Sequence, residues 1–510
     1  MQTATNLTVA AQENLVKINY EVPREFSHEC LCEANALPAR ILKEDRAGRI
    51  DMTDLCLITI DGEDAKDFDD AICVSKENNT YTLYVAIADV AHYVKSNHKK
   101  NSLDYEARLR ANSRYFPTSV CPMLPEILSS NLCSLKPNED RLAILVKIIF
   151  TKQGKIKKTK FLPIIMNSHA RLTYNLVKDI ILDKKLKAIE SFKKQPFGTQ
   201  IIEMLNTAFE LFKILQKKRK ERGSLNFEIP DIKCILTKTG YVKTLEHDIR
   251  NDAHKLIEEF MIVANESVAN FLEEQEYQFP YRIHPKPDQE KIQALQNFSG
   301  STDIHKILEH AKNTPNESLI NRLCLRAMSQ AKYQIHNEGH FGLASKAYCH
   351  FTSPIRRYAD LLVHRALRTS IGMDEKKLLA GKKLIRITDQ LNKIERETIE
   401  CEREMNKRLS CLSMLSHIGD RFFGTISSIM RFGIFVELDS IPVEGMIKIN
   451  DMGKDHYIIH KDNLFMTGKK TGITWYIGDK IEVRIARVDM IRLEITLMPL
   501  ELPKKRKKRK

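Results

Sequence analysis

Several features that define other classes of protein are missing from this sequence. No apolar run approaches the roughly 18 residues that a membrane-spanning helix needs. The first residues, MQTATN, lack the basic and apolar stretches of a secretory signal. The 11 cysteines include no CxxC pair, which argues against a zinc ribbon. Their odd number in a large chain favours reduced thiols, so we expect a cytoplasmic protein.

The charge of the chain is unbalanced toward the basic side. Its 510 residues include 81 lysines and arginines against 66 aspartates and glutamates, which gives a formal net charge of +15. This balance favours a polyanionic partner, either nucleic acid or a membrane surface, although a basic protein that binds neither is the alternative. The length allows about two to four domains, and a hydrophobic content of 43% is ample for their cores.

An acidic cluster stands out against this basic background. Leu57–Ile60 has the apolar character of a buried strand end, and six carboxylates follow within ten residues: Asp61, Glu63, Asp64, Asp67, Asp69 and Asp70. Two like charges about 4 Å apart repel by roughly 1 kcal/mol even in bulk water. A hard divalent cation such as Mg²⁺, Mn²⁺ or Ca²⁺ would remove this repulsion, because its preferred ligands are oxygens. The alternative is a solvated acidic turn.

The cluster must curl if its carboxylates are to share a metal ion. In a fully extended segment, Asp61 and Asp67 would lie up to about 20 Å apart, and Gly62 would permit the turn that brings them together. The segment does not match an EF-hand loop, because the last ligand position of that loop requires Glu and falls here on Ile72.

The segment Phe351–Tyr358 (FTSPIRRY) predicts an anion site. Ser353 is a suitable helix N-cap and Pro354 suits the first helical position, so Arg356 and Arg357 would project from the first turn. Cations are unfavourable at a helix N-terminus unless an anion lies nearby. We therefore expect a bound anion there. An ion pair between Arg356 and an acidic side chain is the alternative.

A series of short motifs follows one order along the chain. They are Ile60–Ala71 (IDGEDAKDFDDA), Val85–Val90 (VAIADV), Tyr115–Pro117 (YFP), Met123–Pro125 (MLP), Leu132–Leu135 (LCSL), His169–Thr173 (HARLT), Gly339–Leu343 (GHFGL) and Phe351–Tyr358. Together they resemble the signature of the ribonuclease II/ribonuclease R family of exoribonucleases, and the ribonuclease R branch is the closer match. The resemblance covers nearly the whole chain from about residue 45.

The resemblance implies a metal site in the acidic cluster. Asp61, Asp67, Asp69 and Asp70 occupy the positions that bind metal in this family. Asp69 is also the expected catalytic residue, since its loss should harm the chemistry most. The implied cofactor is Mg²⁺, as a pair of ions, with Mn²⁺ as a substitute. Such ions activate water and neutralise charge on the leaving oxygen of a phosphodiester.

The resemblance also implies substrate contacts. Arg356 would be a second catalytic residue that holds the scissile phosphate, because its planar fork matches phosphate oxygens, and Arg357 would lie against the substrate beside it. Tyr115 matches the family tyrosine that stacks on the 3′-terminal base and limits how short the final product is. A position in the core is the alternative for this aromatic residue.

We expect the α+β class and five segments. Residues 51–170 are rich in strand patterns, and residues 171–400 are mostly helical in pattern. The predicted segments are a lead-in at 1–50 without the cold-shock domains that family members usually carry, a catalytic domain at 51–376, a helical connection at 377–415, an S1 domain at 416–500 and a basic, disordered tail at 501–510.

The segment 416–500 predicts a small barrel. Five strand patterns are expected at Phe422–Ile429, Gly433–Leu438, Gly445–Ile449, Lys480–Val488 and Leu493–Leu497, which fits an OB-type fold. The segment resembles an S1 RNA-binding domain. Phe432 and Phe435 would stack on bases, with core packing as the alternative, and Lys448 would contact phosphate. The seven cations of residues 504–510 should bind the RNA backbone, with a nuclear localisation signal as a weaker alternative.

These expectations combine into one function. We predict a Mg²⁺-dependent 3′→5′ exoribonuclease that digests single-stranded RNA processively to 5′-nucleoside monophosphates in RNA turnover. Two alternatives are a non-catalytic RNA-binding protein that retains the fold, and an endonuclease or phosphodiesterase that acts on short oligonucleotides. The expected partner is single-stranded RNA, with no membrane and no nucleotide cofactor. We expect a monomer, and the ribosome and RNA-decay proteins are left open as partners.

Overall fold

The computed structural model describes residues 7–503, apart from positions 98, 226, 228–230, 289, 291, 294–300, 313, 315–316, 375–377 and 461–464. The predicted disorder of the cationic tail at 504–510 lies outside these residues. Within the described part of the chain, no helix is both long enough and apolar enough to cross a membrane.

Strands and helices alternate irregularly along the chain. The strands are β1 (Ile50–Asp51), β2 (Leu57–Asp61), β3 (Asp70–Glu77), β4 (Thr80–Ala88), β5 (Arg114–Tyr115), β6 (Val120–Cys121), β7 (Asp140–Thr151), β8 (Ile156–Thr173), β9 (Asp231–Leu236), β10 (Val242–Asp248), β11 (Tyr281–Ile283), β12 (Lys332–Gln334), β13 (Arg421–Met430), β14 (Gly433–Leu438), β15 (Glu444–Lys448), β16 (Tyr457–Ile459), β17 (Phe465–Gly468), β18 (Thr474–Tyr476), β19 (Lys480–Asp489) and β20 (Glu494–Pro499). The helices are α1 (Val9–Asn19), α2 (His28–Asn35), α3 (Val90–Tyr93), α4 (Leu103–Arg110), α5 (Tyr174–Val177), α6 (Leu186–Lys193), α7 (Gly198–Arg222), α8 (Asp252–Glu274), α9 (Ile304–Ala311), α10 (Glu317–Ala327), α11 (Tyr358–Ser370) and α12 (Gly381–Met414).

A six-stranded sheet organises the first part of the chain. Its order is β1-β8-β2-β3-β4-β7, and β7 also pairs with β8. The 18 residues of β8 make this closure possible, because its first part pairs with β7 and its last part with β2. Each of β2, β3, β4, β7 and β8 therefore has a paired strand on both sides. Asp61 ends β2 and Asp70 begins β3, so the acidic loop lies at one end of this sheet.

The predicted helical character of residues 171–400 is confirmed, with two omissions. Helix α7 ends at Gly223, whose φ of +94° is the left-handed conformation that favours glycine, and α8 begins after the N-cap Asn251. The mostly helical segment 171–400 also contains the hairpin β9–β10 and the pair β11–β12, which the sequence did not predict. The β9–β10 hairpin packs apolar side chains against the cluster that includes α1.

The C-terminal part confirms the predicted barrel. Strands β13, β14, β15, β20 and β19 close into one barrel, and the 34-residue helix α12 leads into it. Its interior includes the fully buried Ile434, Val436 and Leu497. A three-stranded sheet, β16-β17-β18, lies between β15 and β19 in sequence and was not predicted. The fold class is therefore α+β, with a mixed domain followed by an OB-type barrel.

The barrel should tolerate no side chain at Gly433. A Cβ atom added there would lie 2.2 Å from the Ile447 carbonyl oxygen on the paired strand. We expect Gly433→Ala to lower the free energy of unfolding by about 1–3 kcal/mol, the usual cost of overpacking, as measured by urea titration. Gly62→Ala is the matched control, because a Cβ at Gly62 has nothing within 4 Å. An equal loss in both variants would contradict the steric explanation.

Candidate active site

The acidic loop between β2 and β3 is held in its curled form by side chains outside it. The Arg171 guanidinium donates to the carbonyl oxygens of Gly62 and Glu63, at 2.7 and 2.6 Å. The Ser134 hydroxyl donates to the Lys66 carbonyl at 2.8 Å and accepts from the Phe68 amide at 3.0 Å. A turn begins at Gly62, whose carbonyl accepts from the Ala65 amide at 3.3 Å, as predicted. The backbone of Gly62 is not in the left-handed region, so this turn does not require glycine, and the two clamps hold the rest of the loop.

Two carboxylates of the loop face one cavity. Asp61 and Asp70 are among the residues that line a space of about 370 Å³. One oxygen of Asp61, Oδ2, is buried and has no hydrogen-bond partner in the described residues. Burial, with the nearby Asp70 carboxylate as the second cause, raises the pKa of Asp61 to about 8. Burial also raises the pKa of Asp70 to about 6. Both carboxyls thus lie where an added positive charge would be most favourable.

Asp69 turns away from solvent and joins the acidic loop to the FTSPIRRY segment. Its side chain is 5% exposed and accepts from the Ile355 amide at 2.9 Å. The Nε atom of Arg356 lies 3.4 Å from the second oxygen. Burial raises the pKa of Asp69, and the Arg356 charge opposes this shift. The ion pair that the sequence offered as an alternative for Arg356 therefore exists, and its partner belongs to the predicted site.

The FTSPIRRY segment does not form the predicted helix start. Helix α11 begins at Tyr358, and Arg357 before it has an extended backbone. The reason is long-range pairing: the Ser113 amide donates to the Arg356 carbonyl at 3.0 Å, and the Tyr358 amide donates to the Ala111 carbonyl at 2.8 Å. These bonds hold residues 356–358 as a strand-like edge. The prediction that Ser353 caps a helix with both arginines in its first turn was wrong.

The two arginines differ in their surroundings. The Arg356 side chain is 46% exposed at the cavity. Arg357 lines the same cavity but directs Nε and Nη2 to the two oxygens of the fully buried Asp360, at 2.9 and 2.8 Å. The Ser353 amide also donates to Asp360, at 2.8 Å. Arg356 is therefore the arginine with its guanidinium more available to an anion.

Tyr115 links Asp67, the fourth predicted metal ligand, to the β5–β6 hairpin. Its hydroxyl donates to Asp67 Oδ2 at 2.7 Å, while the residue as a whole is 45% exposed. The alternative that Tyr115 is a core residue was therefore wrong. Burial and the Asp67 charge raise the pKa of the Tyr115 hydroxyl above its usual value.

The donor set of this cavity fits a hard divalent cation. The unpartnered Asp61 oxygen and the neighbouring Asp70 supply oxygen donors of the kind that Mg²⁺ and Mn²⁺ prefer. Two histidines line the cavity, but His254 accepts from the Asn251 amide and His350 bonds the Tyr333 hydroxyl through their Nδ1 atoms. No three acidic, histidine or cysteine side chains among the described residues stand close enough together to hold a metal ion. The four-aspartate metal set stays a prediction.

The opposite wall of the cavity was missed by sequence reasoning. It includes Tyr174, Arg250, His254, Tyr348 and His350. The rings of Tyr174 and His254 stack with centroids 3.9 Å apart. Three of these residues lie next to the motifs in sequence. Tyr174 directly follows HARLT, and Tyr348 and His350 lie within three positions before FTSPIRRY. Arg250 and His254 carry no such signal.

The predicted RNA face of the barrel lies at one end of β14. Phe432 is 56% exposed, and its ring meets that of Phe435 edge to face with centroids 6.1 Å apart. Lys448 is paired across the sheet with Gly433, next to Phe432. A groove of about 1390 Å³ beside Phe432 is lined by further cations that include Arg326 and Lys454. The structure brings the three predicted residues together, and their role in binding stays a prediction.

Comparison with known proteins agrees with this arrangement. The RNB domain model matches residues 49–372, and the S1 RNA binding domain model matches residues 416–498. The chain is 36% identical over 495 residues to ribonuclease R of Escherichia coli, with 92% of this chain and 60% of that protein covered. It is 38% identical to ribonuclease R of Thermotoga maritima, with 96% and 70% covered. The chain thus spans well under the full length of these relatives.

A solved structure has the same fold over almost the whole chain. It is the RNase R of Mycoplasma genitalium in complex with ribose-methylated single-stranded RNA. The TM-score is 0.90 at 32% identity, and the match covers 97% of this chain and 78% of that one.

Without divalent cations, Asp61 and Asp70 should each destabilise the protein as the pH rises above about 4. Their pKa values are raised to about 8 and about 6 in the folded state, whereas aspartates in an unfolded chain ionise near pH 4. At these two sites the folded state holds more protons, so each pH unit up to the folded-state pKa lowers the free energy of unfolding by at most about 1.4 kcal/mol per group. Partly or fully buried histidines contribute with the opposite sign up to about pH 6.5, because burial lowers the pKa of His340 to about 3 and that of His364 to about 4. Thermal unfolding in EDTA at several pH values measures this.

The matched variants are Asp61→Asn and Asp64→Asn. Asp61→Asn should make the stability of the protein rise more, or fall less, with increasing pH than in the wild type, because it removes the group with the larger pKa shift. Asp64→Asn alters an exposed carboxylate of the same loop and should leave the wild-type slope. Equal slopes of stability against pH in all three proteins would contradict the assignment.

Proposed function

Because this chain belongs to the RNB-domain family of ribonucleases, we propose that it is a divalent-metal-dependent 3′→5′ exoribonuclease. The carrying observation is the cavity in which Asp61, with one buried and unpartnered oxygen, and the neighbouring Asp70 lie beside the half-exposed Arg356. Oxygen donors and a phosphate-binding arginine at one cavity suit phosphodiester hydrolysis. The proposed substrate is single-stranded RNA, and the Mycoplasma genitalium relative was solved with such an RNA.

The acidic loop would supply the metal ligands. Asp61 and Asp70, together with Asp67 and Asp69, would hold a pair of Mg²⁺ ions, or Mn²⁺, whose chemistry there is to activate water and to neutralise charge on the leaving oxygen. Asp69 carries the catalytic assignment because it also contacts Arg356, at 3.4 Å. Because Asp69 would bind metal and also contact Arg356, it would fix the position of the phosphate relative to the metal ligands.

The neighbouring residues would orient the RNA. Arg356 would donate to the scissile phosphate, and its hydrogen bond to Ser353 at 3.1 Å limits its rotation. Arg357, held by Asp360, would add positive charge near the substrate. The exposed ring of Tyr115 would stack on the 3′-terminal base, a contact that any base can make, and would set the length of the final product. The released product would be a 5′-nucleoside monophosphate.

The barrel would hold RNA that has not yet reached the active site. Phe432 and Phe435 would stack on bases, while Lys448 would contact phosphate. Several such contacts along one strand would favour processive digestion. We also propose the segment boundaries given above, 51–376 for the catalytic domain and 416–500 for the S1 domain.

The main test is a time course on a 5′-labelled single-stranded RNA of about 30 nucleotides with Mg²⁺. The wild-type protein should convert it directly to a product of a few nucleotides, and Asp69→Asn should reduce the rate at least about a hundredfold, because charge stabilisation in the site is lost. A ladder of intermediates would instead indicate distributive action. Intact RNA with both proteins, accompanied by a shifted band in a binding gel, would leave a non-catalytic RNA-binding protein.

A second test addresses the barrel. One base–aromatic stack is worth about 1–3 kcal/mol, so Phe432→Ala should raise KM for the same RNA at least about fivefold with little change in kcat. Phe423→Ala is the matched control, because Phe423 is a 64% exposed phenylalanine elsewhere on the barrel. An equal rise in KM for both variants would contradict a specific stacking role for Phe432.

A further inference from the structure

Side chains of the N-terminal helix α1 form hydrogen bonds to the hairpin that carries Tyr115. Tyr115 lies on β5, which pairs with β6 in a hairpin whose tip is Phe116–Ser119. Glu13 of α1 accepts from the Thr118 amide at 2.5 Å and from the Ser119 hydroxyl at 2.8 Å. Lys17, one turn later, donates to the same hydroxyl at 2.6 Å. These contacts span more than one hundred residues of sequence.

The contact between α1 and the hairpin is buried. Glu13 is 1% exposed and Lys17 is 9% exposed, and the two side chains also pair with each other at 3.4 Å. The Lys17 ammonium stands 4.7 Å from the centre of the Phe116 ring. All of the polar atoms at the contact therefore have partners on α1 or on the hairpin tip.

Helix α1 is in turn fixed to the rest of the protein. The Val9 amide donates to the Gly240 carbonyl at 3.0 Å, in the turn of the β9–β10 hairpin. Arg408 of α12 donates to Gln12 at 2.7 Å. Val9 and Val16 are fully buried in the core that includes the barrel. A rigid connection therefore runs from α12 and the barrel side through α1 to the hairpin.

A buried carboxylate is a costly way to hold a hairpin if stability alone is served. Replacing buried ion pairs with apolar side chains is often neutral or stabilising, because desolvation of the charges offsets their attraction. What a charged, fully bonded contact does supply is a single geometry. On the other side of this hairpin, the Tyr115 hydroxyl reaches Asp67 at 2.7 Å. The contacts that fix the hairpin thus extend to the acidic loop.

We propose that Glu13 is a positioning residue, which acts through the Phe116–Ser119 tip to hold Tyr115 at the 3′ end of the RNA. The inference rests on the proposed function, because it assigns to Tyr115 the contact that fixes product length. Glu13 itself touches neither substrate nor reacting atoms. Its effect should therefore fall on where digestion stops and on KM for short RNA, more than on the chemical step.

The test compares Glu13→Ala and Glu13→Gln with the wild-type full chain on the 5′-labelled RNA. Glu13→Ala should leave a longest-lived product at least one nucleotide longer than that of the wild type. It should also raise KM for a short RNA about tenfold with kcat little changed, a size within the range of one lost base–aromatic stack. Glu13→Gln keeps an acceptor for the Thr118 amide and should have a smaller effect. Asn14→Ala, an exposed neighbour on the same helix, should match the wild type.

Tyr115→Ala shows whether the effect passes through the hairpin. It should lengthen the product as Glu13→Ala does, and the double variant should add nothing further, because both changes remove one unit. Wild-type product length and KM in Glu13→Ala, with only a lower thermal midpoint, would overturn the proposal and make Glu13 a purely structural residue. Additive effects in the double variant would also overturn it.

Hydrogen exchange separates this inference from the proposed function. In Glu13→Ala the amides of residues 115, 116 and 118–121 should exchange faster than in the wild type, while Asn14→Ala should leave them unchanged. If the wild-type protein leaves RNA intact, the proposed function fails. Unchanged exchange at this hairpin in Glu13→Ala would show that Glu13 does not position the hairpin, whatever the activity of the protein.

Discussion

The contact between Asp69 and the Ile355–Arg356 segment is the one on which the site depends. It joins two parts of the chain that are 286 residues apart. A carboxylate that is 5% exposed requires partners, and here they are a backbone amide and a guanidinium from one turn. That turn is itself held by backbone bonds to residues 111 and 113. The acidic loop, the arginine and the tyrosine hairpin are thereby fixed as a unit by contacts within the protein.

The chain combines a basic overall charge with an acidic loop at the candidate active site. Its overall charge of +15 favours the approach of a polyanion, whereas the acidic loop would repel the same polyanion at short range. Burial raises the pKa values of Asp61 and Asp70 even with Arg356 beside them, so their ionised forms are unfavourable without an added positive charge. A cation bound at the cavity would stabilise these carboxylates and would also reduce their repulsion of a polyanion.

Much of the fold and of the site could be predicted from local sequence, and the failures share a physical cause. Helices with long amphipathic patterns, the barrel strands and the acidic cluster were identified, because each carries its signal within a short segment. The FTSPIRRY segment was given a helix start from the local preferences of Ser353 and Pro354, whereas bonds to residues 111–113 decide its backbone. Gly62 correctly indicated a turn, but the bonds from Arg171 and Ser134 that hold the loop carry no local signal. His254 on α8 and Arg250 just before this helix line the cavity because of how α8 packs in the fold, which no local pattern reveals.

The double pairing of β8 has a consequence for synthesis of the chain. Strands β2, β3 and β4 are complete once residue 88 has been made, but the ring of strands cannot close until β8 ends at Thr173. During that interval the growing chain presents unpaired strand edges with apolar faces, which are the features that promote association of incomplete chains. Once β8 has paired with both β7 and β2, these edges are satisfied within the molecule. Until β8 has been synthesised, the incomplete chain therefore exposes strand edges that the finished protein covers.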